Sequence, residues 1–245
     1  MQILRFDTLD STNGYCRLLD LNGVGEFAVV WALAQPAGVG QRGNSWISQP
    51  GKNLTFSLIL HPSFLQPSAQ FLLTKVLSLG ISDWLLSQIP SAPVAIKWPN
   101  DLYVGYRKMG GILVENSIST HLDSSVCGIG LNINQTLFPD SLPNPVSLSQ
   151  LTGRVYALED SLRAIVECVR RRYEQLRNGE VSVLDNDYWD RLLFHDRLAD
   201  YQYQGRTIRA HITGIDAMGH LRLQTTSGES LVCDLKEIAF LMPSE

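Results

Sequence analysis

At 245 residues and 27.3 kDa, with 44% hydrophobic and 18% charged residues, the chain can bury a full core, as one large domain or as a large and a small one. A net charge of -4 and a pI of about 5.7, with no long basic run, argue against broad electrostatic affinity for nucleic acid. No apolar run approaches the roughly 18 residues of a membrane span; no charged-then-apolar leader precedes Arg5 and Asp7; and Cys16, Cys127, Cys168 and Cys233 lack metal-type spacing, so reduced thiols in a cytoplasm are expected.

Met1 to Leu9 mixes apolar and polar residues like a first strand, and Asp10-Ser11-Thr12-Asn13 supplies N-cap candidates for a short helix carrying Tyr15, Leu18 and Leu19. Phe27 to Ala34 is a β-rich, almost wholly apolar run, which suits a strand covered on both faces. It ends directly at Gln-Pro-Ala-Gly-Val-Gly-Gln-Arg-Gly, residues 35 to 43. Three glycines in that loop let backbone turn tightly and lie against a ligand, and its amides with Arg42 can cradle an anion. Gly38, Gly40 and Gly43 also have the spacing of a dinucleotide fingerprint, which needs a helix straight after the loop and an acidic residue about 20 positions on. Pro50 and Gly51 follow instead of a helix, and no Asp or Glu occurs from Phe27 to Ser82, which argues against a Rossmann unit. An ordinary glycine-rich turn remains the competing reading of the loop alone.

Leu54 to Leu60 alternates like a half-buried strand, closed by His61-Pro62. Phe71 to Leu86 is apolar nearly all round and too long for a strand, which predicts a buried helix started near Pro67-Ser68. Pro93 to Trp98 reads as a strand leading into the turn Pro99-Asn100-Asp101. Leu102 to Tyr106 and Gly111 to Asn116 read as strands joined through Arg107-Lys108-Met109-Gly110, and Ser125 to Asn132 as another. Phe138 to Pro145 is proline-rich loop. From Leu162, residues Ile165, Val166, Val169, Tyr173 and Leu176 recur at helical spacing, with Arg170, Arg171 and Arg172 expected on a solvated face. Thr207 to Ile215, His220 to Thr225 and Glu229 to Leu235 then alternate as short strands, the pattern of a small β barrel. A boundary is expected near residues 185 to 195.

Three further stretches carry chemistry. Hydroxyls and free amides at Ser11-Thr12-Asn13 can bind a polar ligand or simply cap the helix. Lys97-Trp98-Pro99-Asn100-Asp101 puts a cation, a carboxamide and a carboxylate at a strand end. Lys108 stands close to Gly110-Gly111, backbone that cannot shield its ammonium from a carboxylate.

In order and spacing these segments resemble the biotin protein ligases. The residues concerned are Ser11-Thr12-Asn13; Gln35 to Gly43 with Trp46, Ser48 and Gly51; Lys97 to Leu102; Lys108 with Gly111-Ile112-Leu113 and Glu115; and Gly128-Ile129-Gly130-Leu131-Asn132-Ile133-Asn134, with Lys236-Glu237-Ile238 fitting the family's terminal barrel. The resemblance implies an α+β fold: a mixed-sheet, class II synthetase-like catalytic domain over residues 1–188 and an SH3-like barrel over 189–245. It implies activation of biotin by MgATP to biotinyl-5′-AMP, then acylation of one lysine on a biotin carboxyl carrier domain, by a monomer or homodimer without a DNA-binding or membrane role. The family's DNA-reading segment, when present, precedes Ser-Thr-Asn; only ten residues do here, so no repressor role is expected.

The same resemblance sets biotin against Ser11, Thr12, Asn13, Gln35, Gly38, Lys108, Gly111, Gly128 and Gly130. It sets the adenylate against Gly38, Gly40, Gln41, Arg42, Gly43, Trp46, Lys97, Asn100 and Asn132. Lys108, Arg42 and Asp101 become the catalytic candidates: Lys108 on the biotin carboxylate, Arg42 on phosphate, Asp101 on the proton of the incoming amine. No metal held by the protein itself is expected. Val39 departs from the family, which usually has arginine after the loop's first glycine, as does Gln41, where arginine is often found. The alternatives are a lipoate or octanoate acyl transferase, a group lacking the Lys-Trp-Pro-Asn-Asp string, and a non-catalytic biotin- or carrier-binding module.

Overall fold

The computed structural model of the chain describes residues 1–40 and 45–243. Ser11 caps α1 (Thr12–Cys16), its hydroxyl accepting from the Gly14 amide. This short helix carries the chain from β1 (Ile3–Thr8) to β2 (Val29–Ala34), which pair in parallel. The glycine loop then returns the chain as β3 (Leu54–Leu60), antiparallel to β2, so the strand–loop–helix of a dinucleotide fold is absent. After α2 (Phe71–Gln88) the chain runs through β4 (Val94–Lys97), β5 (Asp101–Val104), β6 (Arg107–Ile118) and β7 (Leu122–Leu131). These strands form one mixed sheet in the order β1-β2-β3-β7-β6-β5-β4.

Two sequence expectations change here. β3 is buried along its whole length rather than on one face, because it is a central strand with both faces covered. Leu54, Phe56, Leu58 and Leu60 enter the main core, Ile59 joins a smaller cluster with Cys16, Ala28, Val30 and Val126, and Thr55 and Ser57 are buried but hydrogen bonded. The β5–β6 connection is also tighter than expected: the chain reverses at Gly105, whose φ of +60° suits glycine, and Arg107 to Gly110 belong to β6. There Leu102 pairs with Gly110 and Tyr103 with Lys108, so Met109 is the extra residue of a bulge.

Helix α3 (Leu148–Thr152) is followed by α4 (Leu158–Arg177) and α5 (Val181–Asp190). α2 and α4 approach so closely that a Cβ on Gly80 would lie 2.6 Å from Val169 Cα. Contrary to the expectation that no apolar run is long enough, Pro67–Gln88 is long and apolar enough to cross a membrane. Its apolar character has another cause: α2 is covered by the sheet, α4 and α5, and Lys75 and Asp83 within it pair with Asp185, Arg172 and Arg191. The arginine run is likewise not a uniformly solvated face. Arg172 is largely buried, joining Asp83 of α2 to Asp187 of α5, and Arg170 lies 4.2 Å over the Phe27 ring.

A second, antiparallel sheet holds β8 (Ala199–Tyr203), β9 (Arg206–Ile215), β10 (Leu221–Thr225), β11 (Ser230–Cys233) and β12 (Ile238–Phe240) in the order β11-β10-β9-β8-β12. Its inner residues Tyr201, Ile212, Leu221 and Leu223 are continuous with the main core. Among the contacts that fasten the second sheet to the rest, Trp98 Nε1 donates to Gly219 O at 2.9 Å, and Phe194, in the segment after α5, stacks on Phe240.

Candidate active site

Residues directly opposite on paired strands share a face, so the register lays out the site in rows. One row reads Ala32, Thr55, Gly130, Gly111, Asp101 and Lys97; the next reads Val30, Ser57, Gly128 and Leu113; a third pairs Ile59, Val126 and Glu115. Glycines hold the middle of the first two rows, so backbone forms the floor, and side chains from other elements occupy the space. A Cβ on Gly128 would lie 2.5 Å from Asn13 Oδ1, one on Gly130 2.4 Å from the Trp46 ring, and one on Gly111 3.0 Å from Asp101 Oδ1.

Above this floor lies a cavity of about 240 Å³, lined from many parts of the chain. At one end, the Thr12 amide donates to Gln35 Oε1 at 2.6 Å, and Ser57 Oγ lies 2.8 Å from Thr12 Oγ1 and 2.6 Å from Asn13 Oδ1. Asn13 Nδ2 donates to Glu115 Oε2 at 2.9 Å, and Glu115 pairs with Arg17. At the other end, Asp101 accepts from Lys108 Nζ at 2.8 Å and has Lys97 Nζ at 3.7 Å; Lys97 also lies 5.4 Å over the Phe240 ring. The bulge before Gly110 sets where Lys108 stands, and its backbone is held from the far side: the Lys108 amide donates to Asn144 O, and the Val146 amide to Lys108 O.

The structure thus brings Ser11, Thr12, Asn13, Gln35, Gly40, Trp46, Lys97, Asn100, Asp101, Lys108, Gly111, Gly128 and Gly130 to one cavity. Gly38 and Asn132 are not among its lining residues. Gly38 closes the loop, its carbonyl accepting from the Trp46 amide, and Asn132 is buried, with Nδ2 donating to Val146 O at 3.2 Å. Gln41, Arg42 and Gly43 lie outside the described residues. Val39 lines the cavity half-exposed, its backbone bridged to Ser45. Asn100 is buried with Nδ2 donating to Ile112 O. The neighbouring thiol of Cys16 is pushed up to about 11 by burial, which outweighs the lowering effect of its contact with Ser57, and it stays a protonated packing group at neutral pH.

Sequence reasoning missed Ser57, which fastens Thr12 and Asn13, and the lid residues Leu235, Ile238, Ala239 and Phe240 from the second sheet. The polar members of the Leu54–Leu60 alternation were a signal for Ser57. Lys236-Glu237-Ile238 marked the terminal barrel, but nothing local places this segment over residues so far away along the chain.

In chemical terms the site is a slot with a flat main-chain floor, hydrogen-bonding groups at one end and paired lysines around a single carboxylate at the other. It suits a flat polar ring carrying an anionic tail. Among the described residues, no three His, Cys, Asp or Glu side chains are grouped to hold a metal ion.

A family model described as the Biotin/lipoate A/B protein ligase family matches residues 6–132. The chain is 32% identical over 234 residues to the bifunctional ligase/repressor BirA of Bacillus subtilis (strain 168), covering 92% of this chain and 70% of that one. It is 31% identical to the biotin--[acetyl-CoA-carboxylase] ligase of Paracoccus denitrificans, covering 91% of this chain and 94% of that one. Among solved structures, a biotin protein ligase from Aquifex aeolicus in complex with biotin and ATP superimposes with a TM-score of 0.82 over 99% of both chains, at 23% identity.

Proposed function

The chain belongs to the biotin/lipoate A/B protein ligase family, and from that premise we propose that it is an ATP-dependent biotin protein ligase. It activates biotin to biotinyl-5′-AMP with release of pyrophosphate and transfers the biotinyl group to a lysine of a biotin carboxyl carrier domain. The observation that carries this reading is the glycine-floored slot running from the Thr12–Gln35 pair to Lys108. The bicyclic ring enters the slot beside Asn13 and Trp46, which pack on Gly128 and Gly130, with its urea toward Thr12 and Gln35, and its carboxylate reaches Lys108.

Each step then falls to a group whose chemistry suits it. The Lys108 ammonium holds the carboxylate and balances the charge that develops as an oxygen attacks the α-phosphate. Ser11 and Asn13 complete the ring's polar end, Trp46 offers an aromatic face to the adenine, and Gly40 with the residues after it meets phosphate. Magnesium enters on the nucleotide as part of the substrate. The carrier's lysine, with an ordinary pKa of about 10.4, must lose a proton to attack the mixed anhydride. Asp101, beside Asn100 and the Lys97 strand end, is the carboxylate that orients or accepts it. The larger sheet with its helices, residues 1–188, is read as a class II synthetase-like catalytic domain, and residues 189–245 as an SH3-like barrel whose last strand roofs the slot. Free, buried cysteines fit a reducing cytoplasm, and the acidic balance fits a protein partner rather than duplex DNA.

The test is direct. ATP and biotin together, but neither alone, should yield pyrophosphate, a tightly held product and then a labelled carrier. Turnover with octanoate or lipoate but not biotin would favour the acyl-transferase alternative and sink this reading.

Val39 supplies a second expectation. Valine offers the intermediate no charge-assisted bond, whereas an arginine there can bond a carboxylate or phosphate. Val39→Arg should slow biotinyl-AMP release by about 10- to 100-fold, since each ~1.4 kcal/mol is tenfold, with a smaller effect on biotin alone. Equal release rates for parent and variant would mean that residue 39 does not reach the intermediate.

A further inference from the structure

Resting on the biotin reading, we propose that Glu115, outside the cavity lining, sets the hydrogen-bond polarity of the slot and so selects a urea edge, acting through Asn13 and Ser57 as a positioning residue. The chain of contacts runs from Glu115 Oε2 to Asn13 Nδ2 (2.9 Å), from Asn13 Oδ1 to Ser57 Oγ (2.6 Å), and from Ser57 Oγ to Thr12 Oγ1 (2.8 Å). Asn13, Ser57 and Thr12 can each face either way on their own: an amide can flip and a hydroxyl can rotate.

The charged end removes that freedom. A carboxylate only accepts, and Glu115 is held in place by its ion pair with Arg17, so Asn13 must turn its NH2 toward Glu115 and its Oδ1 toward Ser57. Oδ1 cannot donate, so the single Ser57 proton goes to it. The Thr12 hydroxyl must therefore donate to Ser57 Oγ, and what it presents to the cavity is a lone pair. The amide of Asn13 packs against the main chain at Gly128, where a Cβ would lie 2.5 Å from Oδ1; this contact fixes where the amide sits, and Glu115 alone decides which end is oxygen.

The neighbouring group is fixed by a second obligate partner. The Thr12 backbone N–H can only donate, so Gln35 turns Oε1 to it at 2.6 Å and its NH2 away. The slot then offers one acceptor, at Thr12, beside one donor, at Gln35. Adjacent N–H and C=O groups on one edge of a cyclic urea are its complement. An ester-like edge, with a ring oxygen in place of the N–H, would set lone pair against lone pair at Thr12.

Glu115→Gln keeps the shape but frees the polarity. The NH2 of the introduced carboxamide can donate to Asn13 Oδ1, after which Asn13 donates to Ser57, Ser57 to Thr12, and Thr12 into the slot. Ser57→Ala cuts the same chain in the middle and lets the Thr12 hydroxyl rotate. The full-length parent and both variants should be titrated calorimetrically with biotin and with the two cyclic carbamate analogues in which one ring N–H is an oxygen, with thermal unfolding recorded for each.

The parent should prefer biotin to the analogue altered at the Thr12 contact by about 100-fold or more. Both variants should retain a preference at least ten times smaller, with the KM for ATP within twofold of the parent. A merely structural role would weaken biotin and carbamate alike. An unchanged ratio in Ser57→Ala, or in a folded Glu115→Gln, would overturn the proposal. A parent that binds neither ligand would overturn the biotin reading itself, and this inference with it.

Discussion

Lys108→Ala is expected to slow biotinyl-5′-AMP formation by about 100- to 1000-fold, the loss seen when one fixed donor is removed from developing charge. The position makes that effect separable from folding. Lys108 is 33% exposed and its ion partner Asp101 keeps Lys97 at 3.7 Å, so a half-buried pair is lost without leaving Asp101 bare of positive charge, and stability should change by no more than about 1 kcal/mol. Its backbone bonds to Asn144 and Val146 are untouched by the substitution. Single-turnover pyrophosphate release at saturating ATP and biotin reads the chemical step, and thermal unfolding reads the fold. Adenylate formation within a factor of two of the parent would remove Lys108 from the reacting centre.

Arg172→Met should cost about 3 kcal/mol of stability, because removing one member of a largely buried ion network strands the others. Arg172 donates to Asp83 at 2.7 Å and to Asp187, while Arg191 holds Asp83 from the other side at 2.7 Å. Burial pushes the Asp83 carboxyl up, but the hydrogen bonds and charges of the two arginines outweigh it and hold the group below its ordinary value. A carboxylate depressed on folding contributes stability above its unfolded pKa, about 3.9, and loses it as pH falls through the folded value. The gap between parent and variant should therefore be full at neutral pH and narrow below about pH 4. Denaturant midpoints at pH 7 and pH 3.5 check both parts; a gap under 1 kcal/mol at pH 7 would show that methionine packing replaces the network.

What could be read from the chain is unevenly distributed, for physical reasons. The apolar run before the glycine loop, the all-round apolar helix and the alternating strands past Thr207 were legible because burial marks sequence locally, by continuous apolarity in the first two and by alternation in the last. The half-burial expected of Leu54 to Leu60 failed because alternation says which residues differ, not whether α1 covers the second face. The β5–β6 turn was misplaced by two or more residues, since Gly110 and Gly111 mimic a turn while lying inside β6, Gly110 packed on Leu131 and Gly111 in the slot floor. Short segments such as β8, β12 and α3 give too few residues for a period to emerge, and α5 is mixed in character, with Leu184 and Tyr188 buried among acidic neighbours. Within the site, most candidates meet in one cavity, because strand register converts their spacing into rows. Gly38 and Asn132 fall outside its lining because Gly38 is engaged within its own loop and the Asn132 carboxamide is turned to the carbonyls of Lys108 and Val146. Lys236-Glu237-Ile238 marked the terminal barrel, but that Leu235 to Phe240 roof the slot was not legible, since proximity across two sheets leaves no local trace.

The main-chain floor also bears on how this site can change over generations. At residues 111, 128 and 130 every substitution adds atoms and none removes any, so heredity can only shrink the slot from below. Room for a bulkier ligand has to come from the walls and roof, where Trp46, Leu113 and Phe240 still have atoms to give up. Libraries selected for acceptance of enlarged biotin analogues should accumulate changes at those three residues and return the three glycines intact. Winners carrying a side chain at 128 or 130 would show that the floor is more yielding than its strand pairing implies.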